Sequence, residues 1–437
     1  MNEHFKLSQI LKLVTPTIFM MCFLSLYTMV DGTFVSKFVN TNALSAINIA
    51  FPYVNFILGI SIMLSMGGCA LVMKKLGEGK EDEAKKDFSL IIAFAFIFSI
   101  LLSIVSLIFI DELLNLLQAK GTLYEYAKDY LFYMIIFATP NILKSIVEQF
   151  LIATNKSTTA LILTLFGGIL NIVLDYVFIV IFGWGIKGAA IATGLGYAIP
   201  TIIGLSFFIK KSNILHFTLP SKDFKVILNS CYNGSSEMVT QLSSGIVTFL
   251  FNVAMLKYIG EDGVASITIV LYIQFLVTAV FLGYSMGISP KISYFYGNKD
   301  ENMTKDIIYF SLKFIAIVSI IIYVFILLFS PILVSFFTKK GTEVFNITIN
   351  GLKLFSFSFL IVGFNIFTSA MFTAFSNGKI SAIISFLKTL VFESGFIILL
   401  PLIIGATGIW FAAPIAELFA ILICFYFFKK YKNIYKY

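Results

Sequence analysis

Arginine is absent, and all 31 basic residues are lysine. Charge of either sign is scarce: 12% of the 437 residues carry one, where a soluble domain carries about a quarter. Histidine occurs only at His4 and His216, both in polar segments, which argues against an intramembrane His-ligated metal or a His-dependent acyl transfer. The four cysteines, Cys22, Cys69, Cys231 and Cys424, lie in apolar segments, so a packing role is expected and no disulfide framework. No G-x-x-x-x-G-K-[ST] loop exists, which disfavours a nucleotide-driven pump. No catalytic constellation is visible, so neither an enzyme nor a resident cofactor is expected.

What is abundant is apolar surface, at 59% hydrophobic residues and a mean hydropathy of +0.96. Runs of about twenty apolar residues recur, each long enough for a hydrocarbon core of roughly 30 Å. Lipid offers no water to the backbone, so each run must be helical, and the lack of strict alternation argues against a barrel. The expected spans are 11–37, 48–73, 88–110, 130–152, 158–182, 188–209, 226–258, 264–294, 307–329, 345–375, 381–404 and 410–428. Pro16, Pro52, Pro140, Pro200, Pro290, Pro401 and Pro414 fall inside them and are expected to kink helices. The polar N-terminus leads straight into a long helix with no small-residue cleavage site, so a removable signal peptide is not expected.

Most lysines fall on one side of this layout: both termini, the loop at 74–87, the segment 210–225 and the loop at 297–306. By the positive-inside rule that side is cytoplasmic, and the formal net charge of +8 is mainly a topology signal, with no sign of nucleic-acid binding. The chain also repeats. Ser65, Met66, Gly67 and Gly77 reappear at one constant spacing as Ser285, Met286, Gly287 and Gly297. Asn155 and Ala160 correspond to Asn377 and Ala382, and Gly185, Gly188 and Ala192 to Gly405, Gly408 and Ala412. The reading is an all-α polytopic membrane protein of about twelve transmembrane helices. A six-helix lobe at 1–209 and a second at 226–437 are joined by a cytoplasmic linker at 210–225. An even number of spans in each half makes the repeat parallel, with a pseudo-two-fold axis along the membrane normal.

Six acids fall inside spans: Asp31, Glu148, Asp175, Glu237, Glu393 and Glu417. A central charge costs about 2.5–3.5 kcal/mol, so such residues face a cavity or a partner. Asp31 precedes the turn near Asn40, Asp175 precedes Gly185 and Thr193 follows it, each by roughly two to three helical turns. They therefore share one depth in the outer half of the first lobe. Asn171 and Tyr27 stand one turn before Asp175 and Asp31, on the same helix faces. This oxygen-rich pocket suits a hard monovalent cation, or one proton shared between carboxylates that resist joint ionisation. Asn171 and Thr193 are equally well explained as helix-packing polar residues. Glu148 can be neutralised by Lys144 one turn earlier, Lys388 can offset Glu393 or Glu417, and Glu237 can be solvated in the cytoplasmic third.

The segment Tyr27–Ser36 (27–36, YTMVDGTFVS), with Ala43-Leu-Ser-Ala46 and Phe51-Pro52, resembles the first-helix region of MATE transporters (multidrug and toxic compound extrusion). The NIVLD run from Asn171 to Asp175, followed by GIKGAAIAT from Gly185 to Thr193, resembles their fifth and sixth helices. Gly287 through Gly297 and Gly408 through Glu417 extend the likeness into the second half, and Asn233 through Glu237 fits the bacterial multidrug-export branch. The resemblance implies a multi-pass protein of the cytoplasmic membrane that exports cationic or amphiphilic compounds in exchange for H⁺ or Na⁺. It places Asp31, Asn171, Asp175 and Thr193 at the coupling ion with Tyr27 nearby. Tyr27 and the remaining span acids Glu148, Glu237, Glu393 and Glu417 are the expected lining of the substrate cavity. Glu148 departs from the amide common in prokaryotic relatives. Acids outnumber deeply placed lysines, so small organic cations are the expected substrates, and a monomer in lipid is the expected assembly. The alternatives are a lipid-linked oligosaccharide flippase of the same superfamily and a channel.

The orientation is directly testable. Cysteines introduced at Lys120 and Lys339 should react with an impermeant thiol reagent added outside; labelling only from the inside would invert the topology.

Overall fold

The computed structural model describes residues 7–39 and 41–437, and the side chains of all of these except 7, 8, 29–33, 36, 41, 42 and 44. His4 lies outside the described residues. The first half runs α1 (Leu7–Phe38), α2 (Thr41–Gly77), α3 (Glu81–Ile108), a short α4 (Ile110–Leu116), α5 (Thr122–Ile136), α6 (Ala138–Ala153), α7 (Ser157–Asp175) and α8 (Gly185–Ser206). The second runs α9 (Lys225–Tyr258), α10 (Glu261–Gly297), α11 (Glu301–Ser335), α12 (Glu343–Phe355), α13 (Val362–Ala374), α14 (Gly378–Phe386), α15 (Ser394–Ile404) and α16 (Thr407–Tyr435). No strand occurs among the described residues. Among the described residues eleven helical spans are long and apolar enough to cross a membrane, and α5 with α6, bent by 50°, makes a twelfth if the pair is one span.

The bend has a local cause. Pro140 has no N–H, and its ring crowds the carbonyl of the residue four before it, Ile136, where α5 ends. At the equivalent place in the second half, α12 gives way to α13 through a 3₁₀ turn at Ser356–Leu360 without any proline. There Ser356 and Ser358 donate to the carbonyls of Lys353 and Phe355 at 3.0 and 2.7 Å, a back-bonding that bends helices. Two π-helical turns, Tyr176–Ile181 and Leu387–Glu393, extend α7 and α14. Such turns are rare and concentrate at functional sites.

Buried apolar side chains form two cores, one per half. The exceptions are reciprocal. Ile10 and Val14 of α1 pack into the second core, and Val226 and Ile227 of α9 into the first. Glycine lets the halves meet: a Cβ on Gly67 would fall 2.0 Å from the Ser230 carbonyl oxygen, and one on Gly234 2.0 Å from that of Met63. Gly77 and Gly297 are equally close to the carbonyls of Tyr294 and Lys74, so α2 and α10 cross with the two-fold relation of the repeat. Gly283 and Gly287 lie against residues 14–18 of α1. These approaches cluster toward the lysine-rich end. There Lys74 also stands over the Tyr296 ring at 5.2 Å, and Gln149 of the first half donates to the Met286 carbonyl at 3.3 Å. The segment between the halves is pinned to the first, with the Thr218 and Ser221 N–H groups bonded to the Ser89 hydroxyl and the Lys86 carbonyl.

The seam sets a stability expectation. Gly67→Ala and Gly297→Ala should each cost about 1–3 kcal/mol by overpacking. Gly245→Ala, with nothing within 4 Å of its Cβ, should cost nothing. Thermal unfolding in detergent checks this, and equal melting of all three would mean the seam is open in solution.

Candidate functional site

Asn171, on the last turns of α7, donates from Nδ2 to the Thr193 hydroxyl of α8 at 3.2 Å. Thr193 in turn donates to the Ala189 carbonyl at 3.0 Å, so its oxygen is fixed in place. The close approach of α7 and α8 rests on glycine, since a Cβ on Gly196 would meet the Asn171 side chain at 3.1 Å. Asp175 follows one turn later at 1% exposure, where α7 passes into its π turn. The changed helical pitch begins at this carboxylate. Tyr27 is buried on α1, its ring stacked beside Phe23, and both rings lie against α7 at Gly168. The structure thus brings together Asn171 and Thr193, with Asp175 one turn on and Tyr27 on the facing helix. The side chain of Asp31, carried by α1, lies outside the described residues. Asn171 Oδ1 is buried without a hydrogen-bond partner among the described residues, which leaves a strong acceptor for a cation or a proton donor.

Glu148 belongs to a different cluster. Its carboxylate pairs with Lys144 at 2.7 Å and accepts from the Thr164 hydroxyl at 2.5 Å, all three side chains being buried. Lys144 also stands 6.0 Å from the Tyr197 ring centroid. Lys388 resolves its choice in the second lobe by pairing with Glu417 of α16 at 3.0 Å. Asn365 of α13 supports that carboxylate, donating to Glu417 Oε2 at 2.6 Å and to its backbone carbonyl at 3.0 Å. Glu393, the last residue of the second π turn, is buried beside both Lys388 and Glu417. Glu237 is half-buried on α9, one turn past the seam glycine Gly234.

Three polar residues escaped the sequence reading. Asn365 and Gln149 are fully buried amides, and a lone Asn or Gln in an apolar run shows no partner until the helices are assembled. Lys291 is half-buried on α10, without an ion pair among the described residues, and its nearness to the span's end concealed its depth. No group of three or more His, Cys, Asp or Glu side chains with metal-site geometry occurs among the described residues.

The MatE family model matches the chain twice, over residues 16–177 and 237–399, once in each lobe. The chain belongs to the MatE family. It is accordingly a membrane transporter, not an enzyme. Its relatives include the multidrug export protein MepA of Staphylococcus saprophyticus, 23% identical over 396 residues that cover 90% of this chain and 86% of the relative. MepA of Staphylococcus aureus is 23% identical over 401 residues with the same coverage. The fold matches a MATE crystallised with MaL6, at a TM-score of 0.93, 24% identity, and coverage of 98% of this chain and 96% of that one. It also matches a MOP superfamily transporter from Pyrococcus furiosus for which reverse polarity of the binding pocket suggests a different function. That match has a TM-score of 0.90, 25% identity and the same coverage. The two-lobe reading of this MatE chain is thereby supported from outside its own repeat.

The buried pair in the first lobe makes a sharp stability test. Lys144→Met strands Glu148 and should cost about 3–5 kcal/mol, while Lys144→Met with Glu148→Gln should recover most of the loss. Melting temperatures of the single and double variants decide it; an undiminished single variant would mean the pair is solvated.

Proposed function

We propose that this MatE transporter is an antiporter that moves cationic or amphiphilic organic compounds out across the cytoplasmic membrane in exchange for H⁺ or Na⁺. The observation that carries the proposal is the buried group of Asn171, Thr193 and Asp175, with the unpartnered Asn171 Oδ1 among them. A carboxylate, an amide oxygen and a hydroxyl oxygen offer hard ligands to a small cation and one titratable group to a proton. The MepA relatives, named as multidrug export proteins, support the substrate class. So does the charge balance in the spans, because Lys144 and Lys388 are each engaged with a glutamate, which leaves Lys291, close to the end of α10, as the unpaired span lysine among the described residues. That engagement disfavours the flippase reading. Glu148, held by Lys144 and Thr164, contributes to the salt bridge rather than to ion choice. In this reading the lobes are 1–209 and 226–437, the linker 210–225 and both termini are cytoplasmic, and a monomer rocks about the glycine seam.

Exchange follows from competition. A cationic drug and a coupling ion both favour a negatively charged pocket, and each stabilises a different state of the lobes. In proteoliposomes with pH and Na⁺ gradients imposed separately, one gradient should drive ethidium efflux. Asp175→Asn should abolish that coupling with folding intact. Ethidium affinity should weaken as the pH falls from about 8 toward 5.5 if the ion is H⁺, and Asp175→Asn should flatten the dependence. Affinity indifferent to both pH and Na⁺ would end the antiport reading.

A further inference from the structure

The second lobe contains a file of polar residues with a regular spacing. Asn365, Ser369 and Thr373 recur every fourth residue on α13, and Ser381, Ser385, Thr389 and Glu393 do so on α14 and its π turn. That spacing puts each set along one helix face, and the two faces meet. Thr373 and Ser381 hydroxyls are 2.8 Å apart, Ser381 and Ser369 2.9 Å, and Ser369 and Ser385 3.1 Å. At one end Ser236 of α9 reaches Thr373 at 3.4 Å, and Glu237 is the next residue in the chain. At the other end Thr389 donates to the Ser385 carbonyl at 2.7 Å, one turn before Glu393, and Asn365 holds Glu417. Every hydroxyl in the file is buried.

Serine and threonine often join helices in membranes, so helix packing is the plain explanation. Two observations go beyond it. Of the six repeat-equivalent positions the first lobe fills five with Leu143, Val147, Leu151, Leu163 and Gly167 and keeps a hydroxyl only at Thr159, so the fold does not require a continuous file of hydroxyls there. Asn365, at 1% exposure, keeps Oδ1 without a hydrogen-bond partner among the described residues. A buried acceptor of that kind costs stability unless something visits it.

We propose that this file is a proton path through the second lobe, linking Glu237 to the cluster of Glu393, Glu417 and Lys388. This deepens the antiport reading above and rests on its proton form. The Glu237 acid passes its proton to Ser236 as Ser236 passes its own to Thr373, and the shift repeats through Ser381, Ser369 and Ser385. From Ser385 the proton reaches the Glu393 carboxylate by way of Thr389, with a single water spanning each helical turn. At every hydroxyl one O–H bond forms and one breaks, so the net change is one proton moved and a carboxylate left at Glu237. Charges on the surrounding helices are Lys388, Glu393 and Glu417 at the inner end, Lys379 at the start of α14, Lys291 on α10, Lys313 on α11, Lys257 toward the far end of α9 and Lys429, Lys430 and Lys432 toward the end of α16, with Asp87 on α3 behind α9; Cys424 is a further titratable group beside Lys388 and Glu417. α2 brings no charge between residues 45 and 73.

The test uses the full chain in liposomes with a trapped pH dye and ethidium as the transported cation. Ser381→Ala and Ser385→Ala should each lower ethidium-coupled proton flux about 100-fold, the low end for a positioned proton-transfer group. Melting temperature and ethidium affinity at pH 8 should hold, and Ser381→Thr, which restores a hydroxyl, should recover the flux. Wild-type flux in both alanine variants overturns the path alone. Equal loss in Ser381→Ala and Ser381→Thr overturns it in favour of packing. Should Ser381→Ala fail to fold, Ser385→Ala carries the same comparison. Ethidium movement by the wild type without proton flux removes proton antiport and the path together.

Discussion

Lipid supplies no hydrogen bonds, and every polar group in this protein is arranged around that constraint. The backbone answers it by remaining helical through each span. Serines and threonines answer it by bonding to carbonyls one turn back, as Ser230, Ser266, Ser311 and Thr348 do. Charges answer it by pairing. Lys144 with Glu148 and Lys388 with Glu417 place two cations and two anions inside the lobes at far lower cost than four isolated charges. Polar groups left short of partners, such as Asn171 Oδ1 and Asn365 Oδ1, are therefore conspicuous, and both stand beside intramembrane acids.

Glycine supplies the second organising element. Each half has its own apolar core, and at Gly67, Gly77, Gly234 and Gly297 the halves touch backbone to backbone. Close backbone packing of this kind gains dispersion energy at those crossings. The reciprocal crossing of α1 and α9 into the opposite core ties the lobes at one end. A boundary of that form suits two bodies that rock as units.

The repeat is symmetric in its backbone and asymmetric in its chemistry. Both lobes break a helix at the same repeat position and both carry a π turn near an acid. The first lobe then places an amide–hydroxyl pair beside Asp175, and the second a hydroxyl file ending at Glu393. Duplicated architecture thus carries two different polar interiors.

Much of this was determined by sequence. Apolar runs and the paired glycines give spans and repeat, and lysine placement gives the proposed orientation, because each is a property of local composition or of spacing along the chain. The grouping of Asn171 with Thr193 was legible too, since depth on two adjacent helices follows from counting residues from a shared turn. Tertiary structure decided the rest. Whether Lys388 takes Glu393 or Glu417, that Glu148 is committed to Lys144 and Thr164, and that Asn365 meets Glu417 all depend on how helices rotate about their own axes. The π turns shift that rotation within a single helix, and the 3₁₀ turn at Ser356–Leu360 arises with no proline to announce it. Periodicity gives the face of a helix, but only packing determines which other face it meets.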